Sequence, residues 1–316
     1  MQTVIKGVAT AISPIVHCGD QRGGTFSEFN REKRIVEQGK PPALLPIITG
    51  NAIRGMLRDR IAEFNLKAAG IQKLPDLASF YLLFSGGALV TAQGETYINV
   101  AEERRLRELL PAVSLLGGSV GNRIIGGKLE VSEWIPLARE YRLSLPDEYA
   151  SKELPSVYDL LDVLSYSRRD DTRSARAAAF VDRSSVDAVG VHKETLAKAG
   201  EADEPGAATQ MRYHYECLIP GTQFYVEFTL HNVTEVEFGT FLGGLALFAE
   251  RPAIGGRSSS GLGKVKLELE RLDMEIVREP VPLRNEEIGA KIQLAMSFLA
   301  ERSREVKELL GVRDVG

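Results

Sequence analysis

The chain has 316 residues, 44% of them hydrophobic and 26% charged, with a formal net charge of −4 and two cysteines. That composition suits a globular protein with ample chain for a core, and its slightly acidic balance excludes a globally basic nucleic-acid binder, so any such role falls to local patches. Cys18 and Cys217 lie far apart without C-x-x-C spacing, which argues against a disulfide framework or zinc site and for a reducing compartment.

The opening MQTVIKGVATAISP lacks the uninterrupted apolar core of a signal peptide, and no apolar run is long enough to span a membrane. The expected location is the cytoplasm. QTVIKGVATAI (2–12) is short and β-branched and predicts a strand. Residues 13–42 follow with no sustained period, rich in Gly, Pro and charge, and so irregular a segment reads as a functional loop.

In LLPIITGNAIRGMLRDRIAEFNL (44–66), Ile53, Met56, Leu57, Ile61 and Phe64 recur at helical spacing, predicting an amphipathic helix that starts near Thr49 or Asn51. Its N-terminus offers free N–H groups to an anion, and Arg54 and Arg58 share one face, while the motif taken singly fits better an ordinary exposed helix face with a capping threonine. The stretch 67–135 reads as loops and short strands around two glycine-rich connectors, LFSGG (83–87) and SLLGGSVGNRIIGGKLEVS (114–132). Residues 152–211 read as an excursion from the core, with an arginine-rich run SRRDDTRSARAAAFVDRSS at 167–185. That run also fits a solvated helix laced with internal ion pairs.

RYHYECLIPGTQFYVEFTLHN (212–232) predicts two alternating strands around a Pro-Gly turn, with Tyr213, Tyr215 and Cys217 on one face. A helix at 235–251, a glycine-serine loop, a strand KVKLELERL and an amphipathic helix at about 285–310 complete the chain. Without its insertions the order is strand, helix, strands, strands, helix, strand. The expected fold is therefore α+β, a ferredoxin-like β-α-β-β-α-β plan with large insertions.

The loop AIGGRSSSGLGK (253–264) suggests phosphate binding, but not to a nucleotide. A P-loop would need glycine where Ser258 stands and a hydroxyl where Val265 stands, and a dinucleotide fingerprint would need a strand before the loop and a helix after it. No cofactor is expected. Arg257 and Lys264 with the loop's backbone N–H groups suit a polymer phosphate, while the same glycines also suit a tight helix-to-strand connection.

Taken together, TGNAIRGMLRDRI and IGGRSSSGLGKVKLE resemble the first-helix signature and the terminal glycine-rich loop of the RAMP superfamily, and the connectors between them resemble that superfamily's own. Size, first strand and arginine-rich insert resemble the backbone subunits of class 1 CRISPR effector complexes, and YSRRDD (166–171) most resembles type IV members, then type I-D. The resemblance implies one palm over 1–316, finger-like insertions at 13–46 and 67–135, and a thumb-like one at 152–211. It also implies a subunit that polymerises head to tail along a CRISPR guide RNA. Its other partners would be further effector subunits and a target nucleic acid, expected to be DNA.

Carried onto this chain, the resemblance places RNA contacts at His17, Arg22, Thr49, Asn51, Arg54 and Arg58, at Arg168, Arg169, Arg173 and Arg176 in the thumb-like insert, and at Arg257 and Lys264 in the terminal loop. Relatives that cut target RNA use an aspartate after the first strand. Here Glu28 and Asn30 stand about where it is wanted, so no cleavage and no metal are expected. The alternative is a RAMP-type, metal-independent endoribonuclease that processes guide precursor. His17 is the candidate base among the four histidines.

Overall fold

The computed structural model describes residues 2–22, 25–87, 99–120, 123–169, 210–273 and 285–312. The fold is α+β. Its main sheet runs β13-β1-β12-β8, with β1 at Gln2–Ala11, β8 at Leu129–Val131, β12 at Gln223–His231 and β13 at Val265–Asp273. A two-residue strand, β9 (Ile135–Pro136), also pairs with β12. Every neighbouring pair is antiparallel.

The strand predicted at 2–12 forms, and its residues sort to two faces. Ile5, Ala9 and Ala11 are buried, while Lys6, Val8 and Thr10 between them are half-buried. β1 is bonded along both edges, from Gln2 opposite His231 to Thr10 opposite Gln223 on one side and from Thr3 opposite Asp273 to Ala11 opposite Val265 on the other.

Helix α1 (Gly50–Ala68) begins where the sequence predicts. Thr49 caps it, its side-chain oxygen accepting from the Ala52 N–H, and Ile53, Leu57 and Ile61 turn inward one turn apart. The second long core helix, Glu235–Glu250, is held by a capping box between Thr234 and Glu237. A Cβ at Gly243 would lie 2.4 Å from the Phe64 ring, and one at Gly244 would lie 2.3 Å from Ile61 Cγ1. The adjacent glycines let the two helices touch backbone to side chain. Phe228 and Phe241 meet edge to face between sheet and helix, with ring centroids 5.6 Å apart. On the sheet's other side a second cluster packs Leu45, Ile47, Ile135, Tyr141, Tyr149 and Tyr225.

The insertions are more ordered than the composition predicts. Residues 13–42 hold β2 (Cys18–Arg22), β3 (Phe26–Phe29) and β4 (Arg31–Arg34), the last pairing with β5 (Ala43–Pro46). The stretch read as loops and short strands contains α2 (Leu77–Phe84), α3 (Val100–Leu109) and α4 (Pro111–Leu116), then a hairpin of β6 (Gly118–Val120) and β7 (Arg123–Ile125). These helices are six to ten residues long, too short for a period to stand out against the flanking glycines.

A short helix, α5 (Asp147–Ala150), precedes a second sheet ordered β10-β11-β3-β2, with β10 at Leu161–Arg169 and β11 at Gln210–Leu218. The two strands around the Pro-Gly turn thus do not form a hairpin. β11 pairs with β10 and β3, and β12 belongs to the main sheet. With the Glu235–Glu250 helix labelled α6, the last long helix is α7 (Asn285–Glu301), and a shorter one follows at Ser303–Leu309 after a break at Arg302. No helix among the described residues is long and apolar enough to cross a membrane.

A Cβ placed on Gly7 would lie 1.9 Å from the Glu268 carbonyl oxygen of β13. Gly7→Ala should therefore cost about 2–3 kcal/mol through forced separation of β1 from β13. Chemical denaturation measures this, and a cost within about 0.5 kcal/mol of zero, as for a neutral surface change, would refute the close approach.

Candidate nucleic-acid interface

Six consecutive residues after β1 tie the fold's parts together. The Ile12 N–H donates to Lys264 O, Ser13 Oγ accepts from the Lys264 N–H at 2.9 Å, and Pro14 O accepts from the Gly263 N–H. Ile15 and Leu218 exchange both backbone bonds, and Val16 O accepts from the Gly256 N–H at 2.7 Å. His17 O accepts from the Asn30 N–H, also at 2.7 Å.

That run delivers the His17 ring to the start of α1. Its Nε2 lies 3.4 Å from both the Thr49 N–H and Thr49 Oγ1, and its edge meets Phe29 with centroids 6.0 Å apart. Burial lowers the His17 pKa, and acceptance of the Thr49 N–H requires an unprotonated Nε2. Asn51 stands exposed on the first turn, which contains no acidic residue. His17, Thr49 and Asn51 therefore converge at a helix N-terminus whose partial positive charge nothing in the first turn offsets.

Arg54 and Arg58 turn elsewhere. Arg54 Nη2 donates to Leu116 O at 2.5 Å, while Arg58 donates through Nη2 to the same oxygen at 2.8 Å and through Nη1 to Gly117 O at 3.0 Å. Both guanidiniums thus sit on the last carbonyls of α4, where cations are favoured. Burial and the neighbouring Arg54 lower the Arg58 pKa, with Asp59 opposing.

The terminal loop is a clasp. Arg257 adopts a left-handed φ of 61°, donates to the Tyr215 hydroxyl, and lies 3.8 Å from the Tyr215 ring centroid and 5.7 Å from that of Tyr166. Gly255, at φ 74°, passes so close to Val16 that a Cβ would lie 2.3 Å from its carbonyl oxygen. Leu262 packs with Val16, Tyr215 and Cys217 in a small core joining the loop to the second sheet. Lys264 is exposed at the start of β13. The tight-connection reading of these glycines describes the loop's geometry well.

The second sheet aligns residues far apart in the sequence. Arg22 stands opposite Phe26, Phe26 opposite His214, and His214 opposite Ser165. One row therefore crosses four strands. His214 Nδ1 lies 2.9 Å from Ser165 Oγ, and the His214 ring is tilted 35° to Phe26 at 6.5 Å. The period-two pattern of β11 gives the face of His214, but its partner on β3 lies too far away in sequence to be read. Arg168 and Arg169 end β10, and their side chains, like that of Arg22, lie outside the described residues. Arg173 and Arg176 lie wholly outside them.

Among the described residues no group of His, Cys, Asp or Glu could hold a metal ion. Cys217 is buried with its thiol pushed up to about 11, chiefly by burial, which suits packing and not nucleophilic attack.

The His17 environment predicts an acid sensitivity. Because burial lowers its folded pKa below the unfolded value of about 6.5, the unfolded chain takes the proton first. Stability then falls as pH drops through the unfolded pKa and levels off at the folded one. Denaturation midpoints from about pH 8 to about pH 5 should fall further for the wild type than for His17→Gln. Parallel profiles would mean that the ring is not held neutral.

No family model and no curated protein sequence matches this chain. Among solved structures it is similar to a chain of one described as "Type IV-B CRISPR Complex", at 21% identity and a TM-score of 0.55, over 91% of this chain and 96% of that one. The likeness takes in the insertions as well as the main sheet, so the two chains share a fold.

Proposed function

We propose that the protein is a non-catalytic, guide-RNA-binding backbone subunit of a type IV-like CRISPR effector complex, with a ferredoxin-like RAMP palm. The carrying observation is the likeness to a chain of a type IV-B CRISPR complex over nearly the whole length of both chains. The strand order β13-β1-β12-β8 supports the palm, because stripped of insertions it reads fourth, first, third, second around two helices. Residues 13–46 and 67–135 would be its fingers and 152–211 its thumb.

On this reading RNA runs past the start of α1, where His17, Thr49 and Asn51 converge, and past the row from Arg22 to Ser165. A guide has to offer its base edges to a target, so its carrier grips phosphate and ribose and leaves the bases free. Copies would follow one another head to tail, since a heterologous contact that does not close makes a filament. Target recognition, on DNA, and any cutting would rest with partner subunits.

His17 fits a binding role better than a catalytic one, because its Nε2 already faces the Thr49 N–H. Expressed without partners, the protein should purify with RNA of uniform length and form helical filaments in the electron microscope. If about five cations per subunit neutralise phosphates, log K should fall against log salt with a slope near −3.5 per subunit. His17→Ala should weaken binding. RNA-free protein that ignores added guide at low salt would end the proposal, and metal-free cleavage of guide precursor would replace it with the endoribonuclease.

A further inference from the structure

The terminal loop has glycine at 255, 261 and 263, each at positive φ, yet at 257 it places an arginine at φ 61° and ψ 33°. An L side chain carries a steric cost in that left-handed region and glycine does not, so the side chain at 257 has work that offsets the cost. The resemblance makes Arg257 an RNA contact, but the guanidinium is turned to aromatic rings. Its Nη2 donates to the Tyr215 hydroxyl, and its Cζ lies 3.8 Å from the Tyr215 ring centroid and 5.7 Å from that of Tyr166. Those two rings meet edge to face with centroids 5.9 Å apart. No carboxylate among the described residues pairs with this guanidinium.

The two tyrosines stand on neighbouring strands of the second sheet, Tyr215 opposite Leu164 and Tyr166 opposite Tyr213. Tyr215 is buried and packs with Val16, Cys217 and Leu262, so this is the sheet face that meets the loop. Alternation turns Ser165 and His214 to the other face, where Phe26 continues their row. One residue before the arginine, the Gly256 N–H donates to Val16 O at 2.7 Å, next to His17. Gly256 and Arg257 therefore hold, side by side, the run that delivers His17 and the sheet that presents His214.

We propose that Arg257 is a positioning residue for RNA binding: stacked on Tyr215 and bonded to its hydroxyl, it locks the second sheet onto the terminal loop and so fixes the row of Phe26, His214 and Ser165 relative to His17 at the start of α1. This rests on the RNA-binding reading above. Apolar packing among Val16, Cys217 and Leu262 holds the sheet against the loop but is non-directional. A planar cation that stacks on one ring and bonds its hydroxyl defines a single orientation.

The test uses the full chain and a fluorescent single-stranded RNA, with affinity measured across a salt series. Arg257→Gly removes the guanidinium and suits the loop backbone at φ 61°, while Tyr215→Phe removes only the hydroxyl that accepts its bond. Arg257→Gly should weaken binding about fivefold, Tyr215→Phe about threefold, and the double variant no further than Arg257→Gly alone. The salt slope should stay at its wild-type value in all three, since no phosphate contact is lost. A direct phosphate ligand would behave otherwise: Arg257→Gly would flatten the slope by about 0.7, and Tyr215→Phe would bind as the wild type. That result overturns the proposal, as do wild-type affinity in both single variants or losses that multiply in the double. Hydrogen exchange on the RNA-free proteins tests the lock apart from RNA. Both single variants should lose amide protection in β10 and β11 and keep it in β1 and β12, and unchanged protection in β11 refutes the positioning role even if the wild type binds no RNA.

Discussion

The structure depends on the backbone hydrogen bonds made by the short run Ile12–His17. β1 uses both of its edges inside the main sheet, so the chain leaves it in a fixed direction. The next residues then bond to separate parts of the molecule: Ile12, Ser13 and Pro14 to the end of the terminal loop, Ile15 to β11, Val16 to the loop again, and His17 to the turn before β4. Buried backbone groups must be paired, and here that requirement is met by distant segments and not by a local turn. Thus the second sheet, the glycine-serine loop and the start of α1 all take their places from one extended stretch of chain.

That arrangement explains the glycines better than phosphate chemistry does. Gly7, Gly243, Gly244 and Gly255 each stand where a Cβ would press on backbone or on a packed side chain. The arginines among them serve the same economy. Arg58 satisfies carbonyls at a helix end, and Arg257 spans a tyrosine face.

The regular part of this architecture was legible in the sequence because its signals are local. β1 alternates, α1 has a threonine cap and a three-to-four residue period, and α6 carries a capping box. The short helices α2 to α4 escaped because three turns or fewer between glycines carry almost no periodicity. The site was legible only in part. His17 and Thr49 were singled out and do meet, yet no pattern in the chain shows that Arg58 faces carbonyls fifty-odd residues away, or that His214 lies beside Phe26. Those pairings are set by strand register and helix docking, which only the folded chain displays.

The link between the two sheets has a mechanical consequence. β11 and β12 are one continuous run interrupted by Ile219–Thr222, and that interruption is pinned to β1 by the bonds from Gly221 N to Ala11 O and from Ala11 N to Thr222 O, each 2.8 Å long. Tension applied at the far end of β10 and β11 has no slack loop to absorb it. It passes as shear into the central strands, where rows of hydrogen bonds load together and resist far better than bonds that open one at a time.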